Sequence, residues 1–194
     1  MISAQEPPNE LERVAALHQC NILDTEPEQG FDDITRLAAH ICQTPIAMVS
    51  LIDSDRQWFK SKVGLTTTET PRELAFCAHA ILQDGVFIVA DTLQDERFAD
   101  NPLVTDSPNL RFYAGVPIKT AEGYLLGTLC VIDCKPRKLS QEQIAALNAL
   151  SKQVSYFIET RRSLKEVNNN SILSIKARYT KGRFIKKIVF GLAI

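Results

Sequence analysis

Cys77 and His79 are the residues of this chain whose types most readily suggest chemistry together, a thiolate made nucleophilic by a neighbouring imidazole. Their spacing weakens that reading. Two positions along a helix is about 200° of rotation, which turns the side chains to different faces. Leu74, Cys77, Ala78 and Ile81 share one apolar face, so Cys77 reads as a buried small hydrophobe or a pocket-lining group, with His79 nearer Phe76 and Gln83. A Cys77-dependent redox or transfer enzyme is the alternative. His18 and His40 stand in separate helices, and Cys20, Cys42, Cys77, Cys130 and Cys134 form no Cys-x-x-Cys pair. Neither a metal site nor a disulfide framework is expected. No phosphate loop, carboxylate dyad or nucleophile–base pair has catalytic spacing, so the chain is read as non-enzymatic.

Polar residues inside apolar strands are the next signal, because an unpaired buried hydroxyl or carboxylate is costly. Ser50 and Thr128 qualify, as does Asp91 at a strand end, while Trp58, Phe112 and Tyr113 supply aromatic walls of the kind small-molecule sites use. With Cys77 and His79 they make up the candidate ligand-binding set. Each has a plainer reading: Trp58 as core, Ser50 and Thr128 bonded to neighbouring backbone, Asp91 capping a helical turn. The segment Arg97–Pro102 reads as a pocket lid or as an ordered loop.

Positioning these residues falls to an alternation of helices and strands. Asn9 opens a first helix with Leu11, Val14, Ala15 and Leu17 as its apolar face, and Phe31, Ile34, Leu37, Ala38 and Ile41 mark a second. Residues 46–52 are apolar on both faces, as a central strand requires, and 56–63 form the next strand. Thr70-Pro71-Arg72-Glu73 has the pattern of a capping box and predicts a helix running through Leu82. A short strand at 86–90, a long polar loop at 91–108 and a hairpin of 110–118 with 124–133 follow. Ser140-Gln141-Glu142-Gln143 is a second capping box, opening a helix to about Val167 that Asn168–Asn170 would end. Its Leu147, Leu150, Val154, Phe157 and Leu164 repeat at heptad-like spacing, which serves either to cover a sheet or to pair in a coiled coil. Short turns between strands imply an α+β fold, an antiparallel sheet of five to six strands with helices on both faces in three layers.

Charge is unevenly spread. Residues 171–194 carry six basic side chains and no acid, which leaves −7 for residues 1–170 against a whole-chain charge of −1. The folded part has no basic surplus for phosphates, so no nucleic-acid partner is expected. The basic tail interleaves Lys and Arg with Phe184, Ile185, Ile188, Val189 and Phe190, which gives it a membrane-surface reading. The N-terminus has no signal-peptide pattern and no apolar run nears the roughly 20 residues of a membrane span, so the expected location is cytoplasmic, with reduced thiols.

Eight blocks in order then carry a resemblance: Leu23-Asp24-Thr25, Phe31-Asp32-Asp33, Val49 to Asp53, Arg56 to Lys60, Phe76 to Ile81, Arg97 to Pro102, Arg111 to Gly115 and Gly127 to Asp133. From about residue 9 to 163 the chain resembles the GAF domains that stand at the front of bacterial histidine kinases and diguanylate cyclases. The resemblance implies a small-molecule pocket between the sheet and its loop-side segments, a homodimer through terminal helices, and a histidine kinase or cyclase as output. The domain would span 9–163, after a disordered 1–8 and before a helix end and basic tail at 164–194. Some GAF domains attach a bilin through cysteine, usually beside an adjacent Cys-His pair. Cys77-Ala78-His79 departs from that, so a photosensor is a minor alternative and no covalent cofactor is expected. The expected function is a non-catalytic sensor for a small molecule or partner.

Overall fold

The computed structural model describes the backbone of residues 1–191 and the side chains of residues 1–165 and 167. The chain divides into two units, Met1–Glu159 and Thr160–Ile194. In the first, α1 (Glu10–Gln19) and α2 (Gln29–Cys42) precede β1 (Ile46–Ile52), β2 (Arg56–Val63) and the short β3 (Glu69–Pro71). Then come α3 (Phe76–Ala80), β4 (Phe87–Val89), α4 (Pro102–Thr105), β5 (Phe112–Lys119), β6 (Leu125–Asp133) and the start of α5 (Gln141–Gly191). The six strands form one antiparallel sheet in the order β3-β2-β1-β6-β5-β4.

Strand alternation sorts side chains into two cores. Ala47, Val49 and Leu51 of β1 join Phe112, Ala114, Val116 and Ile118 of β5 and Leu129 and Val131 of β6 under α1, α2 and α5. Their alternates, Ile46, Met48, Ile52, Tyr113, Cys130 and Ile132, face α3 and the loop before β5. A strand buried on both faces must be apolar along its whole length, which is what residues 46–52 are.

The helices follow their sequence signals with instructive exceptions. Ser140 and Gln143 cap α5 reciprocally, backbone N–H to side chain at 3.0 and 3.2 Å. In α1 the buried side is Arg13, Ala16 and Leu17, whereas Leu11, expected inside, is 85% exposed. Arg13 is tolerated there because it forks onto Glu10 with two bonds of 2.7 Å. Arg72 joins the same carboxylate and also donates to the Asp53 carbonyl, which pins α1 to the β1–β2 turn. Leu37 of α2 is likewise exposed.

The helix predicted from Thr70 to Leu82 is replaced by three elements. Gln57 pairs with Thr70 and Arg56 with Pro71, so strand pairing takes the residues that would have capped the helix. A 3-10 turn follows, Ala75 is extended, and only Phe76–Ala80 is α-helical. The long loop is ordered: Asp91 caps a 3-10 turn by accepting from Leu93 N–H, and Asn101 caps α4 by accepting from Leu103 N–H. Residues 1–8, expected to be disordered, lie against the domain, with Ile2 N–H bonded to the Arg97 carbonyl and Ala4 packed on the α3-side core. Helical backbone continues past Val167 through Asn168–Asn170 to Gly191, since asparagine lowers helix propensity by only a few tenths of a kcal/mol relative to its neighbours. The tail's membrane reading concerns side chains outside those described. Among the described residues no helix is long and apolar enough to cross a membrane.

Lys60 of β2 is a second buried cation. Its ammonium donates to Thr25 Oγ1, the Glu26 carbonyl and Glu28 Oε1 at 2.7–2.8 Å, holding the α1–α2 loop on the sheet. We expect Lys60→Met to lower stability by about 2–3 kcal/mol in urea unfolding, because three acceptors lose a charged donor at once. Glu10 supplies a pH signature. Burial raises its pKa, but the Arg13 and Arg72 bonds outweigh this and hold it below the ordinary 4.5. A carboxylate with a depressed folded pKa stabilises fully above its unfolded value and stops doing so as pH falls through the folded one. Stability should therefore decline below about pH 4.5, and Glu10→Gln should flatten that acid limb; an acid limb of unchanged slope in Glu10→Gln would remove this group as its source.

Candidate functional site

A cavity of about 410 Å³ opens on the α3 face of the sheet. Its floor is Met48 of β1, Gln57 and Phe59 of β2, and Tyr113 of β5; α3 contributes Phe76 and Cys77. The β2–β3 loop walls one side, and Leu103, Ser107 and Pro108 wall another. The size lies within the usual range for small-molecule sites. No Asp, Glu, Lys, Arg or His lines it among the described residues. Two lining residues hold buried polar atoms with no protein partner, Gln57 Oε1 and Thr70 Oγ1, and the two residues are register partners across β2 and β3.

Beneath this cavity lies a compact polar cluster. Tyr113 Oη donates to Cys77 Sγ at 3.2 Å and is 3.4 Å from Thr128 Oγ1. Cys130 Sγ is 3.8 Å from Cys77 Sγ, and the Ser50 hydroxyl is buried beside them with no hydrogen-bond partner. Topology explains the gathering: Ser50, Thr128, Cys130 and Tyr113 all belong to the α3-facing register of adjacent strands. Gly115 completes it, because a Cβ there would stand 2.2 Å from Tyr113 Oη. The tyrosine lies across its own strand on the space a side chain would fill. Burial pushes the Cys77 thiol up, but the polar groups of Cys130, Ser50, Thr128 and Tyr113 gathered around it outweigh this and bring Cys77 down to about 7. Cys130 is driven well above the thiol range by burial and by its bond to Cys77, and Tyr113 well above the phenol range by burial and the neighbouring sulfurs.

Of the eight residues singled out in the sequence, Cys77 and Tyr113 line the cavity, and Ser50 and Thr128 lie in the cluster below it. The others are elsewhere. Phe112 and Trp58 belong to the opposite core, because their strand parity points them toward the other helices. Trp58 borders a groove of about 710 Å³ there, shared with Lys60, whose ammonium is already bonded three times. Asp91 chelates Arg111 with two bonds of 2.9 Å. His79 faces the loop: its Nε2 meets the Ile2 carbonyl at 3.1 Å, and its ring stands edge-on to Phe98 at 4.8 Å. Burial lowers its pKa. The loop residues on the cavity wall begin at Leu103, just beyond Arg97–Pro102. Gln57 and Thr70 were missed, although a glutamine at an inward strand position was a usable signal. Phe76 was missed as well; it stacks on Phe98 at 4.0 Å and carries α3 onto the loop. No three His, Cys, Asp or Glu side chains gather for a metal among the described residues.

Comparison with known proteins gives this architecture a family. The GAF domain model matches residues 26–158. A cyclic di-GMP phosphodiesterase from Pseudomonas aeruginosa is 44% identical over 163 residues, which is 84% of this chain but 28% of that protein. The chain thus spans little more than a quarter of that relative's length. The crystal structure of the GAF domain from an Acinetobacter phosphoenolpyruvate-protein phosphotransferase superposes with a TM-score of 0.60 at 16% identity, covering 80% of this chain and 96% of that one. The blue-light absorbing form of a Thermosynechococcus elongatus GAF domain gives 0.59 at 16% identity, covering 86% and 96%. At such identities the two structures speak for the fold alone. With the sheet order, the two-sided core and a family match across more than half of its length, the chain belongs to the GAF domain family.

Proposed function

We propose that this GAF domain is a non-catalytic sensory and regulatory module whose α3-side cavity takes a small, neutral, largely apolar ligand bearing an N–H or O–H group. The observation that carries this is the pair of unpartnered polar atoms, Gln57 Oε1 and Thr70 Oγ1, at a mostly apolar wall without a cationic side chain. A buried polar atom without a partner costs about 1–3 kcal/mol, and a ligand donor relieves it. A wall without Lys, Arg or His offers no counter-ion to a phosphate or a propionate, which weighs against a nucleotide and against a bilin.

The output is proposed to be a signalling enzyme of the classes the resemblance and the relative's name suggest: a histidine kinase of a two-component system, a diguanylate cyclase or a cyclic di-GMP phosphodiesterase. The domain works in the cytoplasm, a reading supported by five cysteines without a disulfide framework. Its signal passes through a homodimer of terminal helices. In the second unit Leu164 and Val167 are each 61% exposed at a three-residue spacing, and Tyr156 of the first unit is exposed too. Ligand binding shifts such a dimer only by favouring one helix arrangement over another.

Three measurements test these readings. Thr70→Val should leave the ligand-free protein as stable as the parent or about 1 kcal/mol more so in chemical denaturation, because it removes an unpaired hydroxyl at constant shape. A clear loss of stability would assign Thr70 a structural bond and remove it from the site. Native mass spectra of protein purified from its own source should show extra mass that denaturation releases; a bare protein would overturn the small-ligand reading. For the dimer, Leu164→Asp combined with Val167→Asp should halve the light-scattering mass while circular dichroism stays unchanged. An unaltered mass would take these helices out of the interface.

A further inference from the structure

Cys77 and Cys130 do not enter the ligand reading as a pair, yet nothing else on the α3 face is so reactive by composition. Their sulfurs are in van der Waals contact at 3.8 Å, both side chains are almost fully buried, and Cys77 also lines the cavity. A buried dithiol of this kind is chemically asymmetric. Cys77 receives the Tyr113 hydroxyl at 3.2 Å, whereas the closest backbone contact of Cys130 is a long bond of its thiol to the Met48 carbonyl, 3.8 Å. The donor set favours a thiolate on Cys77 and a thiol on Cys130.

We propose that Cys77 and Cys130 are a redox site, in which a small hydroperoxide entering the cavity oxidises Cys77 and Cys130 resolves it to a disulfide between α3 and β6. In the first step the Cys77 thiolate attacks the outer peroxide oxygen. The O–O bond breaks, sulfur becomes a sulfenic acid, and the leaving alkoxide takes a proton from the Tyr113 hydroxyl, which solvent restores. In the second, the Cys130 sulfur attacks the Cys77 sulfur. The S–O bond breaks and hydroxide leaves with the Cys130 proton as water. Two thiols lose two electrons in all, and one hydroperoxide becomes an alcohol and a water.

The bond itself requires the sulfurs to close from 3.8 Å to about 2.05 Å. Cys130 is held in β6, which is paired on both sides. The movement therefore falls to α3, a single five-residue helix. Oxidation would draw α3 down onto the sheet and take the hydrogen-bond acceptor away from Tyr113, so the cavity above changes shape. The redox chemistry does not rest on the ligand reading; the change in cavity shape is where the two meet. A reversible intracellular disulfide belongs to the sensing class rather than the structural one.

The test uses the full chain carrying Cys134→Ser, which removes the exposed thiol. The reduced protein is treated with one equivalent of cumene hydroperoxide, denatured in N-ethylmaleimide and weighed without reductant. The expected product lacks two hydrogens, takes two adducts instead of four, and yields a peptide joining residues 77 and 130. Cys130→Ser should stop at a sulfenic acid on Cys77 that dimedone traps, and Cys77→Ser should abolish the reaction. Tyr113→Phe, which keeps the ring packing, should slow the first step roughly tenfold. Four adducts after oxidation, or hydroperoxide consumption that Cys77→Ser leaves unchanged, would overturn the proposal. Because the readout is covalent mass, it succeeds or fails whether or not the cavity holds a ligand.

Discussion

The close pairing of β6 against β1 is the constraint from which the other features of this domain follow. Gly127 stands opposite Leu51, and a Cβ there would come within 1.9 Å of the Ser50 carbonyl oxygen. Backbone approaches backbone because no side chain intervenes. With β6 seated at that distance, β1 and β6 form a central pair flanked by β2 on one side and β5 on the other. Strand alternation then leaves no freedom about which residues face which helices: a one-residue slip would exchange the two cores entirely. The α3 face inherits Ser50, Thr128, Cys130 and Tyr113 as one block, and neither α3 nor the loop has to position them individually.

This explains how unevenly the sequence disclosed the molecule. The two-sided apolar run of β1 and the Ser140–Gln143 capping box are local signals, and each describes what the structure contains. Thr70-Pro71-Arg72-Glu73 is just as strong locally, yet it forms no helix start. Pairing of β3 with β2 satisfies the backbone there, and Arg72 turns to Glu10 and the Asp53 carbonyl. Local capping energy is of the order of 1 kcal/mol, too little to resist several ladder bonds and a part-buried ion pair. The same logic accounts for Leu11 and Arg13. A periodic apolar stripe predicted the inward side of α1 about one position out, because a doubly bonded arginine can lie where a leucine was expected.

For the candidate site, residue type was readable but parity was not. Trp58 and Phe112 looked as suitable for a pocket wall as Phe59 and Tyr113, and each pair differs by a single position along its strand. The bulge between Val49 and Ser50 in the β1–β2 pairing moves register on that side, and no sequence pattern announces it. Ser50 and Thr128 were legible because a hydroxyl in an apolar strand is an anomaly whichever face it takes. Gln57 carries the same anomaly in β2, less visibly because that strand also holds Arg56, Lys60 and Lys62.

The polar groups of the α3 face fall into two sets with opposite energetics. In the lower set, Tyr113, Thr128 and the two thiols bond to one another beside the unpartnered Ser50 hydroxyl, so most of the burial is compensated. In the upper set, Gln57 Oε1 and Thr70 Oγ1 are left without partners although both atoms are buried. A fold that pairs most of one network on this face has the means to complete or delete the other, for instance with valine at position 70. Retaining the deficit raises the energy of the empty domain relative to any state in which the two atoms are engaged. Tyr113 and Cys77 belong to the bonded network and to the cavity wall at once, so a change of sulfur chemistry below and a change of occupancy above act on the same two side chains. A shared wall of this kind makes the two events thermodynamically reciprocal: whatever oxidation does to ligand affinity, the ligand must do to the ease of oxidation.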